Sequence, residues 1–408
     1  MAGSFGAYFC MYAFRKPFVA GSYESADAFF GLDYKTTFII AQVLGYTLSK
    51  FWGIRFVSGL EQKRRNITLL VLIGIALLGL LGFGFMPIEF KPLAIFVNGL
   101  PLGLIWGIVF SYLEGHHYTE FVGAFLSVSI IVASGILKSV GMHFLNQGVE
   151  EFWMPFCVGL LFILPFIFFV NLLEKVDPPS ADEIQDKSLR IKMNKQDRAS
   201  VLNAFLTPIL AMICFYVLLT VVRDLRDNYM IEVAQELNLT SAAIFTTTEI
   251  PIAIITMIVM FSIGSIKKNR LALNNYLSLF LISMVLLLVC NFLFKFGILS
   301  SYWWIVGTGL FLFSSYLPLN GIFFERIIAT FKISGNIGFF VMIADAFGYF
   351  GSVSLMLTKG LMFSNILWVP FFQKIFTLLA IGGILFTATT WITLSRKQNK
   401  ILSDEKHL

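Results

Sequence analysis

The chain has 408 residues, 57% of them hydrophobic and only 13% charged, with a formal net charge of +6. A soluble globular domain is excluded, since about a quarter of the residues in such domains are charged. The 45 phenylalanines and the runs of about twenty apolar residues instead match helices that cross a hydrocarbon core of roughly 30 Å at 1.5 Å per residue, not the short alternating strands of a membrane barrel.

Twelve apolar segments follow in order, at approximately 1–21, 35–59, 67–87, 92–113, 121–146, 152–173, 201–223, 242–262, 271–295, 302–324, 336–358 and 369–395. The first has no basic region ahead of its apolar run, so it is expected to be a retained helix and not a secretory signal. It carries Tyr8, Tyr12 and then Arg15-Lys16-Pro17-Phe18. A charged side chain at such depth costs at least a few kcal/mol unless it faces a bundle interior or a wet cavity, which makes Arg15 the first candidate for a site. The alternative is that Arg15 and Lys16 reach for the headgroups from the outer end of a helix.

The second segment offers Gln42, Tyr46 and Lys50, the fifth Lys138, the seventh Tyr216 and Arg223, the eighth Glu249 and the eleventh Asp345. Arg223 lies roughly 33 Å from Val201 by helical rise, close to the outer surface, so Arg223-Asp224 with Arg226-Asp227 also reads as a salt-bridged helix end. Asp345 and Glu249 are either proton carriers or permanent partners for buried cations. Cys10, Cys157, Cys214 and Cys290 lack metal-ligand spacing and are read as small core residues, and His116-His117 beside Glu114 and Glu120 as a solvated loop. No metal site is expected.

Basic residues gather after the second, sixth, eighth and tenth segments and at the C-terminus, as in Lys63-Arg64-Arg65, Lys267-Lys268-Arg270 and Arg396-Lys397. The intervening loops hold few, so both termini are expected in the cytoplasm. The net charge then reports topology and anionic-lipid affinity, with no nucleic-acid partner.

The longest polar interruption divides the chain into a six-helix half at 1–173, a linker at 174–200, a second half at 201–395 and a tail at 396–408. Two such halves around a charged linker are the arrangement of the major facilitator superfamily, in which parallel repeats flank a midplane site. A repeat is visible: Tyr8 stands seven residues before Arg15 and Tyr216 seven before Arg223, and Gln42 and Glu249 occupy matching places further on. The expected fold is an all-α membrane protein of twelve transmembrane helices in two pseudo-symmetric halves.

Three stretches, Tyr12-Ala-Phe-Arg15-Lys16-Pro-Phe18, Gly45-Tyr-Thr-Leu-Ser49-Lys50-Phe51 and Leu218-Leu-Thr-Val-Val-Arg223, resemble the organophosphate:phosphate antiporter branch of that superfamily. The resemblance implies Arg15 and Arg223 as paired cationic anchors, one per half, with Lys50 as an auxiliary group. The branch's fifth-helix histidine falls near Ala133 or Ser134, and Lys138 one turn on is a substitute by spacing. The chain is also similar to an uncharacterised bacterial major-facilitator family through Gly99-Leu-Pro-Leu-Gly103, Tyr112-Leu-Glu114-Gly115 and Arg223-Asp-Leu-Arg226-Asp227.

No nucleotide-binding loop or catalytic triad is present, so neither an enzyme nor a cofactor is expected and coupling falls to a gradient. Planar guanidinium forks stay ionised and match carboxylate or phosphate oxygens. The expectation is a monomeric, multi-pass inner-membrane transporter that exchanges a small organic anion, with Arg15, Arg223, Lys50, Lys138, Tyr8, Tyr12, Gln42 and Tyr46 at its site. The alternatives are a proton-coupled symporter of a neutral sugar or sugar-peptide, in which Asp345 or Glu249 titrates, and a membrane sensor that does not transport.

Overall fold

The structure, a computed structural model, describes residues 2–24, 31–58, 60–113, 119–176, 195–319, 322–331, 338–362 and 367–406. In chain order the helices are α1 (Ala2–Tyr12), α2 (Tyr34–Ser58), α3 (Gln62–Phe85), α4 (Lys91–Ser111), α5 (Thr119–Asn146), α6 (Met154–Glu174) and α7 (Lys195–Glu236). They continue as α8 (Ile244–Gly264), α9 (Asn269–Lys295), α10 (Ser301–Leu319), α11 (Ile322–Phe331), α12 (Gly338–Met362) and α13 (Trp368–Lys406). Among the described residues eight helices are by themselves long and apolar enough to cross a membrane, or nine if α10 and α11 count as one span. With α10 and α11 counted together, the thirteen helices among the described residues follow the order of the twelve apolar segments. The all-α, membrane-spanning class follows from the cost of unpaired backbone groups in hydrocarbon, which a helix satisfies within itself.

Three boundaries differ from the hydropathy reading. First, α1 stops at Tyr12, and the chain tightens into turns and a short 3-10 helix, Pro17–Ala20. Pro17 has no N–H to continue the ladder. Second, α7 does not close at Arg223 but runs on to Glu236. Its irregular point is Phe205 (φ −122°, ψ 18°), three residues before Pro208, whose ring displaces the preceding turn. Third, the tenth segment holds two described helices, Ser301–Leu319 and Ile322–Phe331, whose directions differ by 48°.

The helices form two compact units. The first comprises Met1–Lys187, Leu225–Ala253 and Val353–Trp368; the second comprises Ser188–Asp224, Ile254–Ser352 and Val369–Leu408. In the first, α1 packs on α5 and α6, and α3 on α4 and α6. There α2 and α4 meet backbone to backbone. A Cβ on Gly45 would lie 2.4 Å from the Phe96 carbonyl oxygen, one on Gly99 2.4 Å from that of Gln42, and one on Gly103 2.5 Å from that of Tyr46. The Gly99-x-x-x-Gly103 spacing puts both glycines on one face of α4, the small-residue seam that lets membrane helices approach closely.

In the second unit α9, α10 and α13 are tied through Asn291. Its Nδ2 donates to the Gln373 carbonyl (2.8 Å) and to Thr377 Oγ1 (2.9 Å), and its Oδ1 accepts from Nε1 of the fully buried Trp304 (3.1 Å). Each of these polar atoms replaces a water that the bilayer cannot supply.

Candidate functional site

The site is built where α1 ends. Ala13, Phe14 and Arg15 donate backbone N–H bonds to the carbonyls of Cys10, Met11 and Tyr12, three residues back, at 3.0–3.1 Å. Carbonyls released by the break need other donors. Two amides provide them: Asn98 Nδ2 donates to the Phe14 oxygen (3.0 Å) and Gln42 Nε2 to the Arg15 oxygen (3.2 Å). Gln42 Nε2 also donates to Asn98 Oδ1 at 2.8 Å, so α1, α2 and α4 share one buried amide pair. The glycine seam fixes the α2–α4 separation on which that pair depends.

The other side of the turn is held from α6's leading loop. The Glu151 carboxylate accepts from Ser22 N, Ser22 Oγ and Tyr23 N, each at 2.9 Å, while Tyr23 (φ 55°) donates its hydroxyl to the Phe18 carbonyl at 2.7 Å. Glu151→Ala removes all three contacts, two from Ser22 and one from the N–H of Tyr23, a non-glycine residue in the left-handed region. It is expected to destabilise the protein by about 1–3 kcal/mol, with Glu151→Gln intermediate. Thermal unfolding of the detergent-solubilised protein reads this; equal midpoints for both variants and the parent would contradict it.

Arg15 is buried, with its guanidinium carbon 4.1 Å from the Tyr46 ring centroid and 5.6 Å from that of Tyr12. The ammonium of half-buried Lys50 lies 5.0 Å from the same Tyr46 centroid. Tyr8 is buried and meets Tyr12 edge to face at 5.5 Å. Arg15, Lys50, Tyr8, Tyr12, Gln42 and Tyr46 thus belong to one neighbourhood of the first unit. Cation–π contact of this kind stabilises a desolvated guanidinium.

Lys16, one residue on, turns to α7. Its Nζ lies 2.5 Å from Asp227 Oδ2 and donates to Asn228 Oδ1 at 3.0 Å. Lys138 on α5 reaches the same residue, at 3.2 Å to Asp227 Oδ1 and 2.9 Å to its backbone oxygen, and Ser134, one turn earlier on the same face, donates to Oδ1. The lysines are 3% and 2% exposed and the carboxylate 19%, so both ammonium groups are sealed while their shared acceptor retains some access. Two cations on one carboxylate leave this trio with one positive charge in excess.

Next to the trio, Arg226 Nη1 pairs with Glu249 Oε1 at 2.6 Å, both side chains being buried. Glu249 lies against Gly135 of α5, where a Cβ would come within 2.7 Å of its side chain. Further along α7, Lys35 pairs with Glu232, and Thr36 Oγ1 and the Tyr229 hydroxyl lie 2.8 Å apart. Arg223 belongs to the second unit and pairs with Asp224. The side chain of Asp345 on α12 and the loop with His116-His117 lie outside the described residues.

Lys16, Ser134, Asn98, Arg226, Asp227 and Asn228 were not among the sequence candidates. The signal for the last three was the charged run after Arg223, which reads as a helix end until α7 is extended. With α7 running to Glu236, Arg223 stands roughly 27 Å from Phe205 and roughly 20 Å from Glu236, inside the helix instead of at its mouth.

No curated protein matches the sequence. Solved structures do. A crystal structure of a D-xylose-proton symporter aligns with TM-score 0.62 at 15% identity, over 96% of this chain and 96% of that one. The inward open conformation of the xylose transporter XylE from E. coli aligns with TM-score 0.63 at 14% identity, over 96% and 94%. A POT family transporter in complex with a thioalcohol-conjugated peptide aligns with TM-score 0.60 at 11% identity, over 97% and 96%. At these identities the likeness establishes the major facilitator fold. A family profile covers nearly the whole chain, residues 17–397, and the protein belongs to the family it describes, the family of unknown function DUF5690.

Proposed function

We propose that this protein is a secondary transporter of a small organic anion, a phosphate ester or carboxylate, working by exchange through alternating access of the six-helix halves at 1–173 and 201–395. The observation that carries the reading is the convergence of Lys16 and Lys138 on Asp227, with Arg15 on the adjoining turn. Asp227 acts as a resident anion. A substrate carboxylate or phosphate of the same chemistry takes its place between the ammonium groups or adds to it against the excess charge. With no substrate anion bound, the trio keeps its one excess positive charge, which is costly to bury. Return of the carrier is therefore favoured only with an anion bound, which is exchange.

Proton-coupled symport, the activity named for one structural relative, needs a carboxyl group that takes up and releases a proton. Asp227 is held between two ammonium groups and Glu249 is paired with Arg226, so each of these carboxylates already has a cationic partner. These pairings at Asp227 and Glu249 support the exchange reading. The Lys/Arg distribution of the loops supports an inner-membrane orientation with both termini in the cytoplasm.

The test is uptake of labelled phosphate, phosphate esters and carboxylates into liposomes preloaded with unlabelled anion. Lys16→Ala and Lys138→Ala are each expected to lower uptake at least about tenfold, the loss of one charge-assisted contact. Uptake of a neutral sugar, indifferent to both substitutions and driven by a proton gradient, would overturn the reading.

A further inference from the structure

The opening turn of α3 carries cations where a helix favours anions. Lys63, Arg64 and Arg65 stand at the positive end of the helix dipole, no acidic residue shares that turn, and the side chain of Glu61 does not cap it. Arg65 is half-buried; its Nη1 donates to the Ser111 carbonyl at the end of α4 (3.0 Å), and its guanidinium carbon lies 5.5 Å from the Tyr112 ring centroid. Two donors here are buried and have no hydrogen-bond partner among the described residues: the Nε–H of Arg65 and the hydroxyl of Tyr112, a residue 6% exposed. The neighbouring carboxylates are already engaged. Glu61 lies 3.4 Å from Arg64, both side chains being largely exposed, and Glu174 of α6 accepts from Asn66 Nδ2 at 2.6 Å. Three cations thus face two acids, one positive charge in excess. Further down α3, Ile67, Val71 and Leu78 are exposed, and helical spacing sets them on one face with Lys63 and Arg64.

We propose that this end of α3 binds the phosphate group of an anionic lipid. Phosphate oxygens accept from the Arg65 Nε–H and the Tyr112 hydroxyl, the two donors that the protein leaves unmet, and their charge offsets the excess cation. At a helix start they also meet uncapped N–H groups and the favourable end of the dipole. A free phosphate offers the same oxyanion but uses only the polar turn. A headgroup held there lays its acyl chain along Ile67, Val71 and Leu78, the arrangement in which basic clusters beside a spanning helix recognise anionic lipid. A purely structural role for Arg65, capping α4 through Ser111, accounts for neither unmet donor. None of these residues belongs to the lysine trio, so the proposal does not rest on the exchange reading.

The test titrates phosphatidylglycerol into the full-length protein in neutral detergent and counts retained lipid by native mass spectrometry, with phosphatidylcholine as the zwitterionic comparator. Phosphatidylglycerol is expected to be retained more tightly than phosphatidylcholine. Arg65→Gln is expected to weaken it at least about tenfold and Tyr112→Phe about fivefold, the loss of a charge-assisted and of a neutral hydrogen bond. Tyr112→Phe removes a hydroxyl that bonds to nothing in the protein, so without lipid its thermal midpoint should equal that of the parent, which separates lost binding from lost folding. Lys267→Gln/Lys268→Gln, which removes two charges from another basic loop, is expected to keep the lipid. Affinity undiminished in both Arg65→Gln and Tyr112→Phe, or lowered as much by the loop variant, overturns the proposal and leaves general surface charge. Inorganic phosphate is titrated in parallel: binding that falls with Arg65→Gln while phosphatidylglycerol binding does not would assign the site to free phosphate and overturn the lipid assignment. Lys16→Ala should leave phosphatidylglycerol binding intact whether or not it abolishes anion exchange.

Discussion

Asp227→Asn is expected to be the most damaging single-atom change in the first unit, lowering stability by about 3–5 kcal/mol. The substitution keeps the shape of the side chain and an acceptor for Ser134. It removes the negative charge that Lys16 and Lys138, 3% and 2% exposed, share. Two ammonium groups then face one another without compensation in a spanning bundle. Two further measurements separate this account from general damage. Millimolar inorganic phosphate is expected to recover much of the lost thermal midpoint in the Asn variant, because an external anion replaces the missing one. The double variant Asp227→Asn/Lys138→Met restores the original excess of one positive charge and is expected to be more stable than Asp227→Asn alone, a coupling that a double-mutant cycle measures. A single variant as stable as the parent, or a double variant less stable than the single, would show that the trio is not an electrostatic unit.

The second large effect is steric. Gly99→Val would set a Cβ 2.4 Å from the Gln42 carbonyl oxygen and 3.2 Å from its Cα, with two further methyl groups beyond. The obstacle is backbone, so no rotamer relieves it, and α2 must move away from α4. Because Gln42 donates to the Arg15 carbonyl and to Asn98, that displacement also releases the turn that presents Arg15 and Lys16. The expected loss is at least about 3 kcal/mol, the upper range for overpacking, with loss of anion binding. Gly74→Ala on α3 is the control: nothing lies within 4 Å of its Cβ position, and a helix-interior glycine replaced by alanine is expected to be neutral or to gain about 0.5–1 kcal/mol. Midpoints measured for the two variants in the same detergent should diverge; equal losses would mean that the seam is not where the helices touch.

Much of this site was visible in the chain as written. Arg15, Lys138 and Glu249 stood out because ionisable groups in apolar segments demand compensation, whereas Gly99 and Gly103 entered only as part of a family resemblance, and their close helix contact came from the structure. Tyr46 stood out as an aromatic beside Lys50, and the structure places it under Arg15. Other parts were not visible, for a definite reason. The run Arg223-Asp-Leu-Arg226-Asp227 is too polar for a hydropathy window to continue a helix through it, yet α7 does continue, to Glu236. The charges are tolerated inside because each finds a partner: Asp224 for Arg223, Glu249 for Arg226, and Lys16 and Lys138 for Asp227.

By itself, then, the sequence determined the membrane-spanning helical class, the order of the helices and which residues would be costly to bury, since these depend on the transfer of single side chains and backbone groups out of water. The tertiary structure alone decided how each cost is met. Lys16 and Asp227 are 211 positions apart, and nothing local to either indicates the other. Coulombic compensation acts between groups that packing brings within a few ångströms, so the break after Tyr12, the extension of α7 and the excess charge of the lysine trio become legible only when the helices are assembled.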